Sequence, residues 1–201
     1  MDPDPELDEF DDELLYPGWD DDEPLSEAEI EEENRRMLAR HSRFRRAAEH
    51  VAEAFGAIRG VEKVALFGSV ALPLVREVPR FRRFRRQGVA IWHECADVDL
   101  AVWLSDLRRL STLRKVKARA LREHPDEDGL GVADHQVDVF IMQPGTDAYV
   151  GRLCYFAKCP KGKWECLVPG CGKPPFLRRH AEFVFRPQAL EADKTVVLYP
   201  K

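Results

Sequence analysis

Residues 96–104 read Ala-Asp-Val-Asp-Leu-Ala-Val-Trp-Leu, an apolar run broken by two acids two positions apart. In a β-strand, side chains two apart share a face. Asp97 and Asp99 then project side by side, while Val98 and Leu100 point the opposite way. Neighbouring carboxylates in apolar surroundings repel each other and lose hydration, which is costly unless a cation sits between them. Hard oxygen donors of this kind suit Mg²⁺ or Mn²⁺. The alternative is a solvated pair at a strand end.

Two further segments belong with this one. Val61–Phe67 is a strand pattern ended by Gly68-Ser69. Glycine lets a phosphate approach the backbone, and Ser69 is placed to cap a following helix whose amides would face an anion. Residues 136–142 form another apolar strand with a lone acid, Asp138, between Val137 and Val139. Paired beside residues 96–104, that strand brings Asp138 to the same site as Asp97 and Asp99.

Leu66-Phe67-Gly68-Ser69, Asp97-Val98-Asp99 and the strand-borne Asp138, in this order, resemble the polymerase-β-type nucleotidyltransferase superfamily, in the style of its minimal members. The resemblance spans residues 61–143. It implies that Gly68 and Ser69 hold a triphosphate, and that Asp97, Asp99 and Asp138 bind Mg²⁺ or Mn²⁺. The implied activity is transfer of a nucleoside monophosphate from an NTP to an acceptor hydroxyl on a protein, an RNA end or a small molecule. In one respect the chain departs from the pattern. Residues 70–95 separate the Gly-Ser turn from the paired acids, and they hold Pro73, Pro79 and the run Arg80-Phe81-Arg82-Arg83-Phe84-Arg85-Arg86. This replaced or extended loop bears on substrate choice more than on metal binding. A catalytically inactive nucleotidyltransferase fold that binds RNA or protein is the alternative.

The formal charge of −5 conceals an asymmetry. Of 36 acidic side chains 17 lie in residues 1–33, which hold no Lys or Arg, so residues 34–201 carry 31 basic against 19 acidic groups. The basic body suits a polyanion such as a nucleotide or RNA. Residues 1–25 read as an acidic disordered tail, either a solubilising segment or one that folds back on the basic body. No apolar run reaches the roughly 20 residues of a membrane helix, and an acidic N-terminus is unlike a signal peptide. A cytoplasmic protein with no membrane partner is expected, with an NTP, one acceptor of the classes above and room for a protein partner.

Two helices are predicted. Ser26-Glu27-Ala28-Glu29 has capping-box form, and Ile30, Met37, Phe44, Val51 and Ile58 recur every seventh residue up to Gly60. Arg35, Arg36, Arg40, Arg43, Arg45 and Arg46 read as a solvated face, and His41 as a packed histidine. Residues 105–122 form the second helix, with Lys117 assigned to its charged side.

Four of the five cysteines follow: Cys154, Cys159, Cys166 and Cys171, with His180 beyond. Clustered cysteines in a cytosolic chain favour a metal over disulfides, so a structural Zn²⁺ is expected, with His180 as the alternative to Cys154. The spacing is not that of a common zinc finger, and free thiols or redox chemistry remain open. Residues 183–185 and 195–199 read as short strands. The expected architecture is α/β (α+β): a small mixed sheet flanked by helices over residues 26–150, with a Cys-rich zinc-binding extension over 151–201.

Overall fold

A computed structural model describes residues 23–123, 131–155, 174–179 and 183–200, with Arg82 described in its backbone alone. Its elements begin with α1 (Glu27–Gly56), β1 (Val61–Phe67), β2 (Arg76–Glu77), α2 (Arg82–Gln87), β3 (Ile91–Trp92) and β4 (Val98–Leu104). They continue with α3 (Leu110–Glu123), β5 (Val137–Met142), β6 (Tyr149–Leu153), β7 (Leu177–Arg178) and β8 (Val196–Tyr199). The acidic segment of residues 1–22 lies outside the described residues.

The capping box forms as expected: Ser26 Oγ accepts from the Glu29 amide at 3.3 Å, and Glu29 Oε2 accepts from the Ser26 amide at 2.8 Å. Met37, Phe44 and Val51 are buried along α1, with Ala48 and Phe55 beside them. Burying each large side chain contributes about 2 kcal/mol. The helix stops at Gly56, and Gly60 (φ +96°) instead turns the chain into β1.

Six strands form one sheet in the order β7-β6-β5-β4-β1-β8. Only β4 and β5 run parallel; the other neighbours are antiparallel. The fold is therefore α+β, with a mixed, mostly antiparallel sheet flanked by helices. Strand alternation gives the sheet two unlike faces. Val64, Leu66, Val98, Leu100, Val102, Val139 and Ile141 face the α1 and α3 side, in the main core. Ala65, Phe67, Ala101, Trp103, Phe140 and Met142 face the other side, where Tyr149, Phe183, Phe185, Ala189 and Leu190 cover them.

Three sequence expectations are corrected. The stretch after Ser69 is a turn closed by the Ala71 amide on Gly68 O at 3.1 Å, not a helix; Pro73 follows too soon for a helix to grow. Residues 183–185 form no strand, and their aromatic rings cover the sheet instead. The strand read at residues 195–199 forms as β8 and, with β6 and β7, completes the same sheet as β1, β4 and β5. Lys117 is 2% exposed rather than on a charged face.

The burial of Lys117 has a purpose in the architecture. Its ammonium donates to Asp134 O at 2.8 Å and Val137 O at 2.9 Å, and pairs with Asp134 Oδ2 at 3.2 Å. It thereby ties α3 to the first residue of β5, one position before Asp138. Burial pulls its pKa below the ordinary value, and Asp134 opposes that pull. Lys117→Met leaves two carbonyls and a carboxylate without their donor. It is expected to lower stability by about 3 kcal/mol. Urea denaturation reads this directly, and a loss below roughly 1 kcal/mol would refute the anchoring role.

Candidate metal centre

The parallel pairing of β4 and β5 sets Asp99 opposite Asp138. Asp97 lies just before β4, two residues from Asp99. Each of the three offers a carboxylate oxygen, and these atoms all lie within 4.8 Å of one another. All three thus reach one point at the end of the sheet, on the face of Phe67, Ala101 and Phe140 rather than the helical face. The predicted divergence of Asp97 and Asp99 from Val98 and Leu100 holds: Val98 and Leu100 are fully buried in the opposite core.

The electrostatics of the group are unfavourable as it stands. Burial raises the Asp99 carboxyl to about 7, and repulsion from Asp97 and then Asp138 adds to the rise. Burial followed by repulsion from Asp138 also raises Asp97, against the attraction of Arg152 and Arg40. This donor set fits a hard divalent cation, whose charge would remove the repulsion.

Gly68 closes the site from β1. It adopts φ +76°, and a Cβ there would lie 2.5 Å from Asp99 Oδ2. The glycine is thus required by both its backbone and the carboxylate packed against it. Ser69 caps no helix. Its side chain neighbours Cys95, whose thiol burial raises above its ordinary pKa. The two ends of the long insertion of residues 70–95 thus come together near the carboxylates.

The insertion carries its own structure. β2 and β3 pair antiparallel, with α2 between them. Part of the basic run has a structural use: Arg83 pairs with Glu29 at 2.6 Å and donates to Glu23 O and Pro24 O. His93 contacts Glu77 at 2.7 Å, and Arg40 pairs with Glu94 at 2.6 Å and reaches Ala96 O at 3.4 Å. Arg40 is therefore not a simple solvated side chain; from α1 it holds the segment leading into Asp97. His41 is packed as expected, with its pKa lowered by burial.

A cleft of about 720 Å³ opens over the carboxylates, lined among others by Phe67, Phe140, Arg152, Phe183, Phe185 and Arg186. Its volume falls in the range of small-molecule sites. Sequence reasoning missed Arg152. It sits on β6 opposite Phe140, pairs with Asp138 at 2.6 Å, and lies over the rings of Phe140 and Phe183 at 4.4 and 4.6 Å. Alternation alone would not have found it: a bulge in the β5–β6 pairing puts Tyr149 and Arg152 on the cleft face, with Val150 and Leu153 on the other.

The expected zinc ligands Cys159, Cys166, Cys171 and His180 lie outside the described residues. Cys154 is buried directly after β6, and its amide donates to Phe176 O at 2.8 Å. No helix among the described residues is long and apolar enough to cross a membrane.

Compared with protein-family models, curated proteins and solved structures, the chain matches none.

Proposed function

We propose that this protein is a metal-dependent nucleotidyltransferase of the polymerase-β type, moving a nucleoside monophosphate from an NTP to an acceptor hydroxyl. One observation carries the reading. Asp99 and Asp138 stand in register on adjacent parallel strands, with Asp97 beside them, at the floor of an open cleft. A purely structural strand pair has no use for three mutually repelling carboxylates there.

Asp97, Asp99 and Asp138 would hold Mg²⁺ or Mn²⁺. When bound, these ions supply positive charge to the triphosphate and acidify the acceptor hydroxyl. Gly68, with no side chain, lets the Asp99 carboxylate pack against the turn, whose backbone would approach the triphosphate. The Phe183 and Phe185 wall offers a surface on which a flat base can stack. The acceptor oxygen forms its bond to the α-phosphorus as the bond to the bridging oxygen breaks. Pyrophosphate leaves with that electron pair, and the hydroxyl proton passes to the solvent that the open cleft admits. Positioning and charge stabilisation account for the rate, and no nucleophilic side chain is needed.

The second reading, an RNA- or protein-binding module without chemistry, is favoured by one observation. The Gly68-Ser69 turn, the expected triphosphate contact, leads into no helix whose N-terminal amides could face an anion. Label transfer separates the two. Purified protein is mixed with Mg²⁺ and each NTP labelled at the α-phosphate, with and without total RNA and cell extract, beside Asp99→Asn. Label on protein, RNA or a small molecule with wild type alone supports the transferase and identifies the acceptor class. No transfer, with no Mg²⁺-dependent NTP binding, leaves the binding module.

A further inference from the structure

We infer that Arg152 is a phosphate ligand of the cleft and, until phosphate arrives, a competitor for the cation at Asp138. The inference rests on the nucleotidyltransferase reading and adds a residue that the sequence motifs do not contain.

Arg152 is presented by β6 into the same cleft as the three acids. Its Nη1 lies 2.6 Å from Asp138 Oδ2, and its side chain is 24% exposed. Its guanidinium carbon sits over Phe140 at 4.4 Å and over Phe183 at 4.6 Å. Two rings therefore hold the planar group in the cleft, where its swing is limited. Its Nε is buried without a hydrogen-bond partner among the described residues, so the guanidinium has a donor still to place.

The charge arrangement gives this position a consequence. Arg152 attracts Asp97 and Asp99 as well as pairing with Asp138, and so offsets part of the repulsion within the group. It supplies in part what a divalent cation would supply in full. A cation at the carboxylates and a guanidinium a few ångströms away repel each other. A triphosphate changes the balance, because a guanidinium binds phosphate oxygens through paired N–H donors. Arg152 then exchanges Asp138 for phosphate and leaves the carboxylate to the metal. By linkage, cation and nucleotide each strengthen the binding of the other. An arginine that merely supported the fold would also oppose the cation, but its loss would leave nucleotide affinity unchanged.

The test measures binding rather than turnover. Mn²⁺ alone is titrated by loss of its free paramagnetic signal, and a non-hydrolysable α,β-methylene ATP is titrated in saturating Mn²⁺. Arg152→Gln is expected to bind Mn²⁺ about tenfold tighter than wild type, and the nucleotide at least about tenfold more weakly. Arg152→Lys keeps the charge but loses the fork. It is expected to bind Mn²⁺ as wild type does and the nucleotide more weakly, and it decides the matter should Arg152→Gln fail to fold in a thermal melt. Weaker or unchanged Mn²⁺ binding by a folded Arg152→Gln overturns the inference, as does wild-type nucleotide affinity in Arg152→Lys. If wild type binds no Mn²⁺ saturably, the metal centre itself is overturned, and this inference with it. If wild type binds Mn²⁺ and Asp99→Asn does not, the metal centre stands and the Arg152 variants alone are judged.

Discussion

Asp99→Asn is expected to abolish nucleotidyl transfer and yet raise the melting temperature of the metal-free protein at pH 8. The activity side follows from ligation. Burial raises Asp99 to about 7, and an amide is a far weaker ligand for a hard cation than a carboxylate. Losing several kcal/mol of charge stabilisation lowers the rate roughly a thousandfold or more.

The stability side follows from repulsion. Carboxylates less than 5 Å apart repel by roughly 3 kcal/mol at an effective dielectric near 20. Screening by solvent at the open cleft and the lost attraction to Arg152 reduce the net gain to about 1 kcal/mol. For a chain of this size that is a rise of about 2–4 °C.

The pH dependence gives the sign. Asp99 titrates at about 7 in the folded protein, above its unfolded value near 3.9. Between those values the folded state holds the extra proton, so this group makes the metal-free protein more stable as pH falls from 8 towards 5. The advantage of Asp99→Asn should therefore shrink over that interval. Mn²⁺ binding to wild type should weaken over the same interval, because a proton competes for the ligand. Thermal melts at pH 8 and pH 5, with and without Mn²⁺, measure all of this. A variant that melts below wild type at pH 8 without metal would show that the three acids are not in conflict.

The carboxylate cluster was legible in the sequence because alternation is local. Val98 and Leu100 on one side of β4 and Asp97 and Asp99 on the other follow from the period of a strand. Their meeting with Asp138 required the parallel pairing of β4 and β5, which strand patterns allow but do not dictate. The helix expected after Ser69 failed for a local reason: Pro73 stands four residues on and lacks the amide that would have closed the first helical hydrogen bond on Ser69 O. Lys117 was partly legible: it stands at helical spacing from Leu110, Leu113, Ala120 and Leu121, on the apolar stripe. What the sequence could not show was the carbonyls of Asp134 and Val137, brought close by the fold, that receive its ammonium. Phe183 and Phe185 alternate like a strand, but the face of the sheet they cover needed rings more than the edge needed another strand. Arg152 was hidden in the same way, since its value depends on Asp138, Phe140 and Phe183, none of them near it in the chain.

Gly68→Ala is expected to lower activity about a hundredfold while costing only about 2 kcal/mol of stability. Two effects combine at this position. Alanine at φ +76° carries backbone strain of about 1 kcal/mol. Its Cβ would also meet Asp99 Oδ2 at 2.5 Å, a separation that forces the carboxylate to move. Displacing a metal ligand by even about 1 Å can cost a hundredfold in rate. The two effects separate experimentally. Gly88 has φ +64° and nothing within 4 Å of an added Cβ, so Gly88→Ala reports the backbone strain without the contact. In an Asp99→Ala background the contact is also gone, since the remaining Asp99 Cβ lies at an ordinary 3.5 Å. The stability cost of Gly68→Ala should there fall to that of Gly88→Ala. Equal costs of Gly68→Ala in the wild-type and Asp99→Ala backgrounds would mean that Asp99 does not rest against this glycine. The Gly-Ser turn would then have no part in positioning the carboxylate, and the link between the turn and the metal centre would have to be sought in Ser69 and Cys95 instead.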